Sequence, residues 1–189
     1  MSPVLTQRVN LPGGQDRLRQ LILYICTKNI GAKYFGRVKL NKILWKSDFS
    51  SYAIRQVPVT GRAYQRLPQG PAPKEMMPLY REMLRDGVVR EEITDFGGGK
   101  IEKRPSALHQ PNLALFSAED ISFVDSAITY YWAMTGTETS DDSHGAAWST
   151  RHDGDPMPYE SAFLSDRPLL PLHIQRLQRL AEQNDIRSQ

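Results

Sequence analysis

Residues 38–55, VKLNKILWKSDFSSYAIR, constrain the fold more than any other stretch of the chain. Read at 3.6 residues per turn, Leu40, Ile43 and Leu44 form one apolar stripe, and Trp45, Phe49 and Tyr52 form a second. A helix that is apolar on two sides cannot lie on a surface; it needs neighbours on both. Lys39, Lys42 and Lys46 make a third stripe at i, i+3 and i+7. The expected setting of that stripe is a solvated face, and the alternative is contact with an anion or a partner. Asp48 lies among the aromatics. It is expected to be a buried, hydrogen-bonded carboxylate that positions the loop after the helix.

The rest of the chain supplies neighbours for such a helix. Residues 1–14 are polar, end in Pro12, Gly13 and Gly14, and read as a lead-in arm. A first helix over 15–29 carries Leu18, Leu21, Ile22 and Ile25 on one face, with Cys26 beside it as a buried thiol rather than a nucleophile. A helix over 74–86 puts Met77, Tyr80 and Leu84 on one face and stops at Gly87. Residues 88–108 read as a β-hairpin turning through DFGGGK. The helix-then-hairpin order is compatible with a winged-helix arrangement that would carry Lys100, Lys103 and Arg104 on its wing. A solvent-facing hairpin of mixed charge is the alternative, because Glu91, Glu92, Asp95 and Glu102 offset those cations.

Further on, Ser117 and Asp120 form a capping box for a helix over 117–135, with Ile121, Val124, Ile128 and Tyr131 inward. The polar TGTETSDDSHGAAW leads into another helix, carrying His144 and Trp148 at i, i+4. Residues 151–168 are expected to be an extended loop. A last helix over 171–184 has Pro171 in its first turn and Ile174, Leu177, Leu180 and Ala181 inward. The fold class is mainly α with a small β-hairpin: a single-domain helical bundle over residues 15–186, preceded by the arm.

One connection is too stiff for an ordinary loop. In VTGRAYQRLPQGPAPKEM, Pro68, Pro71 and Pro73 fix φ, and Gly61 and Gly70 can take conformations other residues avoid. Thr60 can bond nearby backbone groups, and Tyr64 brings a large body with one hydroxyl that seeks a partner when buried. The segment is a strut that fixes the helix after it against the helix before it.

Composition excludes several classes. The 189 residues carry a formal charge of only +3, which leaves no global footprint for nucleic acid or membrane. The longest apolar run, LILYIC, is too short to span a bilayer. One cysteine and no apolar leader lead to the expectation of a reducing cytoplasm. FGGGK lacks the pattern of a phosphate loop, and there is no G-x-S-x-G elbow. His144, His152, Asp153 and Asp155 are close in sequence and could hold a metal or act as acid and base. HDGD is equally ordinary turn composition. The expectation is therefore no metal, no cofactor and no catalytic residue, with a hydrolase using His144, His152 and Asp153 as the weakest alternative.

Four segments together resemble the Panacea domain of SocA-like antitoxins: KLNKILWKSDF, VTGRAYQRLPQGPAP, FSAEDISFVDSAITYY and SHGAAW, spread over about residues 18–170. The motif positions are Lys39, Leu40, Lys42, Leu44, Asp48 and Phe49; then Thr60, Gly61, Tyr64, Gly70 and Pro71; then His144 and Trp148. The resemblance implies a mostly helical single domain that binds and neutralises a protein toxin. One branch of the family delivers its toxin to a protease, and members are frequent in prophages. Partners implied are thus a cognate toxin, with a cellular protease and self-association left open, and no membrane. A nucleic-acid-binding winged-helix regulator stands as the alternative. Leu40, Leu44 and Phe49 are expected in the core; for Tyr64, Gly70, Pro71, His144 and Trp148 scaffold and interface both stay open.

Overall fold

Helix α2, Arg37–Arg55, is the axis around which the chain is assembled. The computed structural model describes residues 11–99 and 101–164, together with 175, 176 and 179. On one side of α2, Leu40, Ile43 and Leu44 are fully buried against α1, Gly14–Lys28, whose Leu18, Leu21, Ile22 and Ile25 are also fully buried. Helix α4, Ala118–Tyr131, closes this core with Val124, Ala127, Ile128 and Tyr131. Its capping box is reciprocal: Asp120 N–H donates to Ser117 Oγ at 3.1 Å, and Ser117 N–H donates to Asp120 Oδ2 at 3.0 Å. Arg17 near one end of α1 meets Asp120, and Tyr24 further along meets Asp125, so α1 and α4 run parallel.

The second apolar stripe of α2 builds a separate aromatic core. Phe49 meets Tyr64 edge-on at 5.2 Å and Tyr159 at 5.2 Å, with Met157 buried beside them and Trp45 and Tyr52 packed at the margin. This core is roofed by a small sheet in the order β2-β1-β5, all antiparallel: β1 is Tyr64–Gln65, β2 Ala72–Pro73 and β5 Pro156–Met157. The strut read from the sequence thus supplies β1 and β2, the middle strand and one edge of a sheet. Residues 151–168, expected as an extended loop, supply its third strand and then a 3-10 helix, Tyr159–Phe163.

Helix α3, Met76–Arg85, buries Met76, Leu79, Tyr80 and Met83. The expected face, Met77, Tyr80 and Leu84, is rotated: Met77 and Leu84 are half-buried because Met76 and Met83 take the inner positions. Gly87 follows at φ +66, as a helix stop requires. The hairpin forms as expected from β3, Val89–Asp95, and β4, Ile101–Ala107, paired from Val89↔Ala107 to Asp95↔Ile101. The helix expected to carry both His144 and Trp148 is instead two short helices, α5 at Gly136–Asp142 and α6 at Ala146–Ser149, with His144 in the turn between them. The break comes because Ser143 and Gly145 act as C-cap of α5 and N-cap of α6. The expected last helix over 171–184, Lys100 and residues 1–10 of the arm lie outside the described residues, apart from 175, 176 and 179.

Candidate functional site

The motif residues divide between the sides of α2: Leu40 and Leu44 enter the aliphatic core and Lys39 reaches the end of α4, while Lys42, Asp48, Phe49, Thr60, Tyr64, Gly70, Pro71 and Trp148 gather where α2 looks at the strut. Two clusters result, one turn of helix and a half apart.

In the first, Asp48 is completely buried. It accepts from Thr60 N–H at 2.6 Å, from Tyr64 Oη at 2.8 Å, and from Thr60 Oγ1. Burial raises its carboxyl to about 6, and the bonds from Thr60 and Tyr64 hold it from going further. Gly61 follows at φ +68. Tyr159 Oη donates to Arg62 O at 2.7 Å, locking the same loop from the far end of the domain. Burial drives the Tyr64 and Tyr159 phenols well above their ordinary value, so both stay protonated donors.

In the second, Lys42 is 1 % exposed and donates to Pro71 O at 3.1 Å. Burial lowers its amine to about 7. Gly70, at φ +95, is pressed against it: a Cβ there would lie 2.6 Å from Lys42 Cε and still closer to Ser143 Oγ. The α5–α6 turn grips the strut from outside. Ser140 Oγ donates to Gln69 O at 3.0 Å and Trp148 Nε1–H to Leu67 O at 2.8 Å. The Trp148 ring stacks on His144 at 3.8 Å and carries the Arg66 guanidinium at 3.8 Å. Burial first, then the nearby Lys42 charge, keep the His144 imidazole below its usual range.

The basic stripe is not the solvated face that its spacing suggested. Lys39 is also 1 % exposed and donates to Trp132 O at 3.4 Å, and Lys46 lies over the Tyr130 ring at 3.8 Å. Burial lowers the Lys39 amine to about 8, with Glu102 opposing. Each lysine lays its aliphatic stem along apolar surface and ends on a carbonyl or a ring. The stripe fastens α2 to the strut and to the end of α4, and neither Lys39 nor Lys42 can reach a phosphate.

The residues of the hydrolase alternative do not assemble. His152 is 98 % exposed, Asp153 pairs with Arg66, and His144 is stacked on Trp148. Among the described residues no group of three or more His, Cys, Asp or Glu could hold a metal ion. Cys26 is buried, and burial raises its thiol to about 12.

Several members of these clusters carried no readable signal. Tyr159 and Met157 sit in a Pro-, Gly- and Asp-rich stretch, and only the isolated aromatic after Pro158 hinted at a buried anchor. Arg17 is equally hidden in sequence. It is buried at 6 % and donates to Val59 O at 2.8 Å and to Asp120 Oδ2 at 3.1 Å, tying the start of the strut to α1 and α4. Burial raises Asp120, but the bonds from Arg55 and Ser117 more than offset it and leave the carboxyl below its ordinary value.

A helical domain whose signature residues face one another across an interior latch is thereby defined. Residues 40–149 match the model of the Panacea domain of SocA-like antitoxins, more than half of the chain, and the chain belongs to that family. No curated protein and no solved structure matches it.

Proposed function

We propose that the chain is the antitoxin of a toxin–antitoxin pair, neutralising a cognate protein toxin by direct contact without turning over a substrate. Membership of the Panacea family carries this reading. The latch agrees with it: Asp48, Tyr64 and Lys42 direct their polar atoms at one another or at the backbone, and so support a rigid body. Family membership also offers delivery of the bound toxin to a cellular protease, which the toxin's half-life with and without the chain would test. Action in the cytoplasm goes with both. No helix among the described residues is long and apolar enough to cross a membrane.

The regulator reading has less support. Of the wing cations, Arg104 pairs with Glu102 at 3.2 Å and donates to Ala32 O at 2.8 Å. Lys39 and Lys42 are buried.

The deciding experiment expresses the gene encoded beside this one, alone and together with it. Growth arrest by the neighbour alone, relieved by co-expression, is the expected result. A complex between the two should bury on the order of 1,600 Å² in total. Turnover of a metabolite by the purified chain, abolished by His144→Ala, would overturn the proposal.

A further inference from the structure

One face of the β3–β4 hairpin starts inside the domain and ends bare. Side chains alternate between the two faces of a strand, so the register sets Val89, Glu91, Ile93 and Asp95 on one face, with their partners Ala107, Pro105, Lys103 and Ile101. At the base this face is inside. Val89 and Pro105 are buried, and Glu91 accepts from Tyr80 Oη at 2.9 Å and pairs with Arg37 at 3.3 Å. Towards the turn the same face is open, with Ile93 66 % and Ile101 56 % exposed. A strand face that meets water ordinarily carries polar residues. Here it keeps two large β-branched apolar ones.

The charges of the opposite face are paired with one another, Arg90 with Glu92 at 3.3 Å and Arg104 with Glu102 at 3.2 Å. On the apolar face the charges are uncommitted. Among the described residues Asp95 accepts the Gly97 N–H at 2.8 Å and has no cation in salt-bridge reach, and Lys103 has no carboxylate. Asp95 stands beside Ile101, and Ile93 beside Lys103. The isoleucines therefore occupy one diagonal of a rectangle and the two opposite charges the other.

This patch is its own complement. Turned over about the Ile93–Ile101 diagonal, it meets isoleucine with isoleucine and brings Asp95 of each copy over Lys103 of the other. With strands about 4.8 Å apart and two residues rising about 6.8 Å, such an axis crosses the strands of the two copies at roughly 70°, towards the orthogonal class of sheet packing. A partner segment of one charge would leave either Asp95 or Lys103 facing its like. A second copy leaves neither, as an isologous interface requires.

We propose that this face of the hairpin is a homodimer interface, in which two copies of the chain pack Ile93 and Ile101 together about a twofold axis and pair Asp95 with Lys103 across it. The patch is small, so the dimer is weak and forms with rising concentration.

Sedimentation of the full chain at low salt, up to ~1 mM, should show a monomer–dimer equilibrium. Ile101→Glu should weaken dimerisation by about tenfold or more. Ile54→Ser, at a bare apolar position on α2, should dimerise as wild type. Asp95→Lys and Lys103→Asp should each weaken the dimer, and the double variant should regain it. An equimolar mixture of the two single variants should form heterodimers in preference to either homodimer, because both cross-axis contacts then join opposite charges. The preference should fade as salt is raised. A wild-type chain that stays monomeric over this range overturns the proposal. So does a dimer that Ile101→Glu leaves intact, or a mixture without preference for heterodimers. Where Ile101→Glu alters the circular dichroism melt, the mixing experiment decides alone. None of these outcomes bears on the antitoxin reading, which the neighbouring gene tests.

Discussion

Lys42 and Asp48 stand six residues apart on α2 and are both buried, yet they couple stability to pH in opposite senses. The Lys42 amine is held down at about 7. The unfolded chain therefore binds a proton that the native state does not, and stability rises with pH above 7. From pH 7 to 9 this one group contributes a gain of about 2 kcal/mol. The Asp48 carboxyl is held up at about 6. The native state keeps a proton that the unfolded chain has lost, so stability falls as pH rises from about 4 to 6. Urea titrations across pH 4–9 should show both slopes. Lys42→Met should remove the rise between about pH 7 and 8, leaving above pH 8 the part that Lys39, held down at about 8, contributes, and Asp48→Asn should flatten the acid slope; an unchanged rise between pH 7 and 8 in Lys42→Met would show that the amine titrates normally. Gly70→Ala adds a Cβ at φ +95 against Lys42 and Ser143. A cost of about 3 kcal/mol is expected from backbone strain and crowding together. Ser143→Gly in that background should recover part of it, and no recovery would mean that backbone strain and the Lys42 contact set the loss without Ser143. Asp48 was legible in the sequence because a lone carboxylate among aromatics has few settings other than a bonded one. Lys39 and Lys42 were not, because a lysine stripe looks the same whether its heads meet water or a carbonyl. What distinguishes the two is what stands opposite, the Gly-Pro turn for Lys42 and the end of α4 for Lys39, which the sequence does not assign to that face.

At the scale of elements, periodicity found what is long and lost what is short. Helices α1, α2 and α4 carry enough turns for an apolar stripe to repeat, and the hairpin announces itself through DFGGGK. Strands of two residues cannot show alternation. The pairing of Tyr64 with Met157 joins segments 93 apart in the chain, which no local pattern records. The α5–α6 unit, likewise too short for a stripe, depends on its grip on the strut. Trp148 supplies most of that grip, through Leu67 O, Arg66 and His144. Trp148→Ala is expected to cost about 3 kcal/mol. It should also speed hydrogen exchange at Gly70 and Arg66, which bond to Leu67 O and Asp155 O, before that of α1 amides changes. Equal acceleration throughout the molecule would mean that the grip has no local role.

For the molecule as a whole, the open question is whether its two cores unfold as one. Each is built on α2: Leu40, Ile43 and Leu44 belong to the aliphatic core, Phe49 to the aromatic one. Neither can lose α2 without exposing the other. The strut ties them further, since Arg17 of α1 holds Val59 O while Asp48 holds Thr60 in the next residue. A shared helix and a shared loop make partial unfolding expensive, and a single cooperative transition is expected. Trp148 reports on the strut beside the aromatic core, and helical dichroism reports mainly on α1, α2 and α4. In a chain carrying Trp45→Phe and Trp132→Phe, the Trp148 fluorescence transition in urea should coincide with the loss of dichroism. If the fluorescence moves first, the aromatic core and its sheet form a separate, weaker unit docked on α2. The family's rigid body would then be the aliphatic core alone, and the latch residues would act as a hinge between two bodies.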